Sequence, residues 1–206
     1  PMSCRVKICG ITNLSDALHA SECGADALGF VFYQKSPRYI SPEDANKIVA
    51  KLPPFITPVA LFVDADEALV ESVLAGSARW TLQFHGNESP EQCQRWLRPY
   101  FKAIRMKPGL DILEEASRYT DASAVLLDAY KAGVPGGTGE TFDWHLIPDE
   151  LPKPLILAGG LTAANVEQAV NAVTPYAVDV SGGVEQQKGI KDPLKVMQFI
   201  TGAKRG

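Results

Sequence analysis

The reactive side chains that matter most here fall at the ends of short apolar runs. Cys9 follows Val6-Lys7-Ile8, His85 follows Leu82-Gln83-Phe84, and Asp128 follows Val125-Leu126-Leu127. A free thiol with its ordinary pKa of ~8.5 is mostly protonated at neutral pH, but a neighbouring cation favours the thiolate, which can act as a base or a nucleophile. A partly desolvated carboxylic acid holds its proton more tightly and can donate it to a reacting oxygen. Cys9 and Asp128 therefore make an acid–base pair suited to shuffling protons on a small molecule. A buried cysteine and a helix-capping aspartate would suit the same two positions in purely structural terms.

Two further runs end in glycine pairs, Gly159-Gly160 and Ser181-Gly182-Gly183. Without Cβ atoms such loops let backbone N–H groups converge on an anion, and a helix opening at Thr162 would add a favourable field. One pair alone would be an ordinary tight turn; two, on consecutive units, predict a phosphate site. Arg38, in the turn Ser36-Pro37-Arg38-Tyr39, offers a guanidinium to a carboxylate or phosphate, or else a solvated loop charge. His85 reads equally as a substrate contact or as a structural histidine. Asp179 is expected to be a buried, hydrogen-bonded support for the substrate or the phosphate loop.

Something must bring these residues to one place. Apolar runs of strand type occur at Val6–Ile11, Ala27–Tyr33, Pro58–Val63, Thr81–His85, Phe101–Met106, Ala124–Ala129, Pro154–Gly160 and Ala177–Gly183. Between them lie segments with helical spacing: Leu14–Cys23, Pro42–Leu52, Glu67–Ala75, Pro90–Leu97, Ile112–Tyr119, Ala163–Ala172 and Pro193–Thr201. Ser41, Asp66, Ser89, Thr162 and Asp192 stand where N-caps belong, three of them followed by proline. Repeated βα units of about 25 residues predict an α/β fold, a (β/α)8 TIM barrel forming one domain over residues 1–206, with Pro1 ahead of Met2 as a cloning remnant. An open doubly wound sheet is the alternative, but Gly10-Ile11-Thr12-Asn13 after the first strand is no dinucleotide turn.

Barrels collect function at the C-terminal ends of their strands, where all of these residues fall. Alternation puts Lys7 and Cys9 on one face of the first strand and Leu126 and Asp128 on one face of the sixth, both faces predicted to look inward. The glycine-rich stretch 131–143 after the sixth strand reads as a lid that excludes water, or as simple disorder.

Other classes are disfavoured. The formal charge of −4 with scattered basic residues gives no footprint for nucleic acid or an anionic membrane surface. No apolar stretch approaches the roughly 20 residues that span a bilayer, and no signal-peptide core opens the chain, so a cytoplasmic site of action is expected. Four cysteines without CxxC spacing and three scattered histidines predict neither disulfides nor a zinc site.

The stretches Lys7-Ile8-Cys9-Gly10-Ile11-Thr12, Gly29-Phe30-Val31-Phe32, Ser36-Pro37-Arg38-Tyr39, Gln83-Phe84-His85-Gly86, Leu127-Asp128-Ala129, Gly136-Gly137-Thr138-Gly139, Leu157-Ala158-Gly159-Gly160-Leu161 and Asp179-Val180-Ser181-Gly182-Gly183-Val184-Glu185 span nearly the whole chain. In this order they closely resemble the phosphoribosylanthranilate isomerases of tryptophan biosynthesis. Gly182 departs from the pattern, which has serine there in many members, and this removes a hydroxyl from the phosphate loop but keeps the backbone donor. The resemblance implies an Amadori rearrangement of N-(5-phosphoribosyl)anthranilate to 1-(2-carboxyphenylamino)-1-deoxyribulose 5-phosphate, without metal or redox cofactor. It implies Asp128 as general acid, Cys9 as general base, Arg38 on the anthranilate carboxylate, and the loops at Gly160 and Ser181–Gly183 on the phosphate. The only partner expected is this small phosphosugar, apart from fusion or association with a neighbouring pathway enzyme. The histidine-pathway isomerase that performs the same rearrangement is similar in its phosphate loops, but its first-strand base is aspartate, against which Cys9 argues. A non-catalytic phosphate-binding domain would have no use for both Cys9 and Asp128.

Overall fold

In a computed structural model of the chain, described for residues 3–129 and 144–206, the apolar runs form the strands β1 Arg5–Ile8, β2 Ala27–Val31, β3 Thr57–Phe62, β4 Thr81–Phe84, β5 Tyr100–Arg105, β6 Ala124–Asp128, β7 Leu155–Ala158 and β8 Ala177–Val180. They pair in chain order, all parallel, and β8 returns to β1, closing an eight-stranded barrel. The helices α1 Leu14–Glu22, α2 Pro42–Val49, α3 Glu67–Leu74, α4 Pro90–Gln94, α5 Ile112–Arg118, α6 Val166–Val173 and α7 Pro193–Arg205 lie between strands or after the last. The (β/α)8 architecture is thus present, and residues 131–143, read above as a lid, lie outside the described residues. Among the described residues no helix is long and apolar enough to cross a membrane.

Local chemistry sets the helix starts. The side chains of Ser41, Asp66, Ser89 and Asp192 accept backbone N–H bonds from the first turns of α2, α3, α4 and α7, satisfying donors that have no partner within the helix. Thr162 does not cap a helix: its hydroxyl accepts from the Ala164 amide at 3.2 Å and closes a turn, and α6 begins only at Val166. α4 also ends earlier than its apolar spacing predicts, at Gln94, and Leu97 beyond it adopts a left-handed backbone (φ +53°) and points into solvent.

Alternation along the strands divides the interior in two. Phe30, Phe32, Phe62 and Trp80 fill the space between barrel and helices, with Phe30 edge-on to Trp80 at 5.4 Å and Phe32 stacked on Phe62 at 5.6 Å. The opposite faces line the barrel with Leu126, Ile156 and small residues such as Ala103, Ala124 and Ala158, while Lys7, Gln83 and Asp179 bring polar atoms to the same interior. Beyond β8 the chain forms a short antiparallel ribbon, β9 Glu185–Gln187 and β10 Ile190–Lys191, which the sequence reading does not anticipate. Thr12 Oγ1 donates to the Gly189 carbonyl at 2.5 Å, fastening the ribbon's turn to the loop after β1.

Candidate active site

The register of β1 on β8 sets Lys7 beside Asp179, and Lys7 Nζ donates to Asp179 Oδ1 at 2.9 Å with the two side chains only 3% and 11% exposed. Asp179 is therefore buried and hydrogen-bonded, with Lys7 as its partner. Cys9 lies one residue past β1 on the face of Lys7, its N–H donating to the Val180 carbonyl at 2.8 Å. Its side chain is buried in a small apolar cluster with Val31 and Leu61. The cation expected to favour a thiolate is present, yet it does not prevail. Burial pushes the Cys9 thiol up, and the charges of Lys7 and Lys191 with a hydrogen bond from Lys7 offset only part of this, so the resting group is a thiol. Lys7 behaves oppositely: burial pulls its ammonium down, but the charge and hydrogen bond of Asp179 work against burial, and the ammonium stands above its ordinary value.

Asp128 closes β6 with its side chain a quarter exposed, and His85, just beyond β4, sets its Nε2 3.4 Å from Asp128 Oδ2. Gln83 shares the inner face of β4 with His85, and its Nε2 lies 3.0 Å from His85 Nδ1. With the amide donating to Nδ1, the ring hydrogen sits on Nε2 and faces the carboxylate. His85 is thus held by both neighbours, which makes it a partner of the predicted acid. The loop that carries it rests on buried Glu88 and Lys102. Glu88 accepts the Asp64 and Gly86 amides, each at 2.8 Å, and Lys102 Nζ donates to the Gly86 carbonyl at 2.7 Å and to Glu88 Oε1 at 3.2 Å. Neither residue belongs to the motifs described above. Lys102 carries a signal in the sequence nonetheless, a charge between Tyr100 and Ile104 on a face that otherwise packs against helices.

Arg38 is not a solvated loop charge. Its Nε and Nη2 donate to Glu185 Oε2 at 2.9 Å and Oε1 at 2.6 Å, a two-point contact on one edge of the guanidinium. Glu185 also accepts the Gly189 amide at 3.1 Å and Lys191 Nζ at 3.2 Å. Lys191 Nζ donates in addition to the Cys9 carbonyl at 2.5 Å and the Ser181 carbonyl at 3.1 Å. Burial pushes the Glu185 carboxyl up, but the Arg38 hydrogen bonds and the Lys191 charge reverse this and hold it below its ordinary value. Burial also draws the Lys191 ammonium down, against the pull of Glu185. Gly10 is where these groups converge: with φ at +83°, a Cβ there would lie 2.7 Å from Arg38 Cδ and 2.8 Å from Ser181 Oγ.

The two glycine loops touch. Gly159 and Gly160 turn the chain after β7 with φ of +95° and +69°. Gly183, in the 3-10 turn Gly182–Val184 that Ser181 precedes, approaches the first loop so closely that a Cβ would lie 2.0 Å from the Leu161 carbonyl oxygen. A Cβ on Gly182 would lie 3.3 Å from Arg38 Nη2, so this loop also borders the guanidinium. The structure thus assembles one group from Cys9, Lys7, Asp179, Arg38, Ser181, Gly182 and Gly183, and a second from Asp128 and His85 at the ends of β6 and β4. All lie at the C-terminal ends of barrel strands or one residue layer below, where such barrels do chemistry.

With that geometry in view, residues 6–202 match the family model described as N-(5'phosphoribosyl)anthranilate (PRA) isomerase. The chain is 66% identical over 205 residues to the N-(5'-phosphoribosyl)anthranilate isomerase of Marinomonas sp. (strain MWYL1), covering 100% of both chains. It is 59% identical over 197 residues to the enzyme of that name from Pseudomonas syringae pv. tomato, covering 96% of each. The crystal structure of phosphoribosyl anthranilate isomerase from Thermotoga maritima superposes with a TM-score of 0.89 at 44% identity, covering 98% of this chain and 100% of that one. A phosphoribosyl anthranilate isomerase in complex with reduced 1-(o-carboxyphenylamino)-1-deoxyribulose 5-phosphate gives a TM-score of 0.86 at 42% identity, again with 98% and 100% coverage.

Proposed function

The chain belongs to the N-(5'-phosphoribosyl)anthranilate isomerase family, and we propose that it performs that isomerisation with Asp128 as general acid and Cys9 as general base. The reaction is an intramolecular aldose-to-ketose rearrangement. Asp128 gives its proton to the ribose ring oxygen, the C1–O bond breaks, and the anthranilate nitrogen lone pair forms a C=N iminium. Cys9 first releases its own proton to water beside the Lys7 ammonium; as thiolate it then removes the proton from C2, and the C–H electron pair forms a C1–C2 double bond that neutralises the iminium. The enolamine then takes a proton at C1 and loses the one on its C2 hydroxyl, leaving the ketone. The iminium is itself a sufficient electron sink to acidify the neighbouring C–H, so acid–base groups account for every step.

The observation that carries this reading is the pairing of each reactive group with a partner suited to its role. Cys9 must ionise to act, and buried Lys7, whose charge Asp179 sustains, is the counter-ion available to its thiolate. Asp128 meets His85 Nε2, whose N–H can donate a hydrogen bond to the carboxylate left when the acid gives up its proton. Arg38 faces the anthranilate carboxylate, and the backbone of Gly159, Gly160, Ser181, Gly182 and Gly183 holds the phosphate, with Asp179 and His85 beside the sugar. Action in the cytoplasm, where phosphorylated intermediates are retained, belongs to the same proposal.

The test is a single-turnover assay with N-(5'-phosphoribosyl)anthranilate, followed by loss of its fluorescence. The wild-type chain consumes the substrate. A chain that binds the phosphate but leaves the fluorescence unchanged would be a binding domain and not an isomerase.

A further inference from the structure

We propose that Glu185 is a positioning residue for the substrate's ring carboxylate, acting through Arg38. This rests on the assignment of Arg38 to that carboxylate. A guanidinium has five N–H groups, and Glu185 engages two of them, on Nε and Nη2. The edge formed by Nη1 and the second hydrogen of Nη2 is the other face that can receive a carboxylate at two points. By occupying one edge, Glu185 fixes the plane and direction of the second.

The alternative, in which Glu185 merely occupies Arg38 until substrate displaces it, conflicts with how Glu185 is held. Its side chain is 5% exposed and receives the Gly189 amide and Lys191 Nζ as well as Arg38. Leaving Arg38 would strand a buried carboxylate beside fewer donors, so the substrate finds Glu185 in place. Charge points the same way. Arg38 and Lys191 contribute two positive charges against the single negative charge of Glu185, leaving one positive charge for an incoming carboxylate to neutralise. Lys191 also bonds the carbonyls of Cys9 and Ser181, so the carboxylate subsite, the base and the phosphate loop share one buried ammonium.

The test is a cycle of Glu185→Gln, Arg38→Ala and the double variant, each assayed with N-(5'-phosphoribosyl)anthranilate and with N-(5'-phosphoribosyl)aniline, which lacks the carboxylate. The selective effect of Glu185→Gln is expected to be a rise in KM about tenfold greater for the carboxylated substrate than for the aniline, whose own KM and kcat register whatever reaches the base and the phosphate loop through Lys191. In the Arg38→Ala background it should add less than about twofold, because residues that act as one unit are non-additive. An equal rise for both substrates, or a full additional effect without Arg38, would overturn the proposal while leaving Arg38 in its role. Failure of Arg38→Ala itself to distinguish the two substrates would remove the Arg38 assignment and this proposal with it. Should Glu185→Gln not fold, Glu185→Asp keeps a charge against Lys191 while withdrawing the carboxylate by one methylene, and is judged by the same pattern.

Discussion

The sulfur of Cys9 occupies space that exists only because residue 29 is glycine: a Cβ there would lie 2.5 Å from Sγ and 3.2 Å from Cys9 Cα. The Gly29 carbonyl also accepts the Gly10 and Ile11 amides, each at 3.0 Å, so the strand cannot retreat without breaking the loop that follows the thiol. Gly29→Ala must therefore move the sulfur. We expect kcat to fall at least ~10-fold and stability to fall by about 1–3 kcal/mol, the usual range for overpacking. Turnover and urea unfolding on the same variant check this, and an unchanged kcat would show that the sulfur's position is immaterial.

Removing the reactive groups themselves should cost more. Cys9→Ala and Asp128→Asn are each expected to lower kcat by about 10²-fold or more, the ordinary worth of a general base or acid. Folding should persist, because Asp128 is partly exposed and alanine, being smaller than cysteine, fits the Cys9 site without a clash. Steady-state kinetics with circular dichroism as a folding control decides the matter. A variant that turns over at near-normal rate takes its residue out of the mechanism.

The parts of this site that are legible in the sequence are those governed by local rules. Two-residue alternation suffices to set Lys7 and Cys9 on the inner face of β1 and Asp128 on the inner face of β6, and capping chemistry suffices to start α2, α3, α4 and α7. Thr162 shows where local rules run out, since Thr162 and Asn165 are both capping residue types. Asn165 Oδ1 accepts the Thr162 amide at 2.8 Å and its Nδ2 donates to the Gly160 carbonyl at 3.0 Å, so both are spent on the turn. The Arg38–Glu185 contact spans 147 residues and joins the loop after β2 to the start of β9, so no periodicity announces it. The state of Cys9 is equally hidden. Lys7 can be read from spacing, but the depth of burial that overrides it is a property of the closed barrel.

The glycine loops make opposite predictions for the same change. Gly183→Ala places a methyl 2.0 Å from the Leu161 carbonyl, a backbone atom that cannot rotate away, so the loops after β7 and β8 must part. Gly160→Ala meets nothing within 4 Å and bears only the cost of a left-handed backbone, about 1 kcal/mol. Inorganic phosphate binding by calorimetry should weaken at least ~10-fold for Gly183→Ala and less than ~3-fold for Gly160→Ala. Equal effects would place the anion elsewhere.

Buried thiols and phenols should make the fold fragile in alkali. Burial pushes the Cys93 thiol from 9.0 to about 12 and the Tyr119 phenol from 10.0 to about 12. The Cys4 thiol is likewise pushed up to about 11 by burial. A raised folded pKa means that the folded state holds its proton more tightly than the unfolded chain does. For Cys93 this stabilisation is complete below the ordinary value of 9.0 and is lost as pH rises through the folded value of about 12. Cys93→Ala should cost stability at neutral pH by leaving a small cavity, yet its gap to wild type should narrow steadily between pH 9.0 and about 12. Urea unfolding across that range is the measurement, and a constant gap would mean that the Cys93 proton is not linked to folding.

At the far end of the barrel from the chemistry, Arg79 ties the end of α2 to the start of β3. Its Nη1 donates to the carbonyls of Val49 and Leu52, both at 3.1 Å, and its Nη2 to those of Pro53 at 2.8 Å and Ile56 at 2.9 Å. The last carbonyls of a helix have no partner within it, and a planar guanidinium can serve several at once where an ammonium cannot. Hydrogen bonds to a charged donor are worth about 1.5–3 kcal/mol each but do not add when they share one side chain. Arg79→Ala is therefore expected to lower stability by on the order of 3 kcal/mol, and Arg79→Lys to recover less than about half of that. Because this loop enters the barrel from the N-terminal ends of its strands, kcat and KM at about 25 °C should remain within about twofold of wild type for both variants. Urea unfolding beside the fluorescence assay separates the two effects, and a fall in kcat that tracks the loss of stability would show that this end of the barrel also shapes the catalytic mouth.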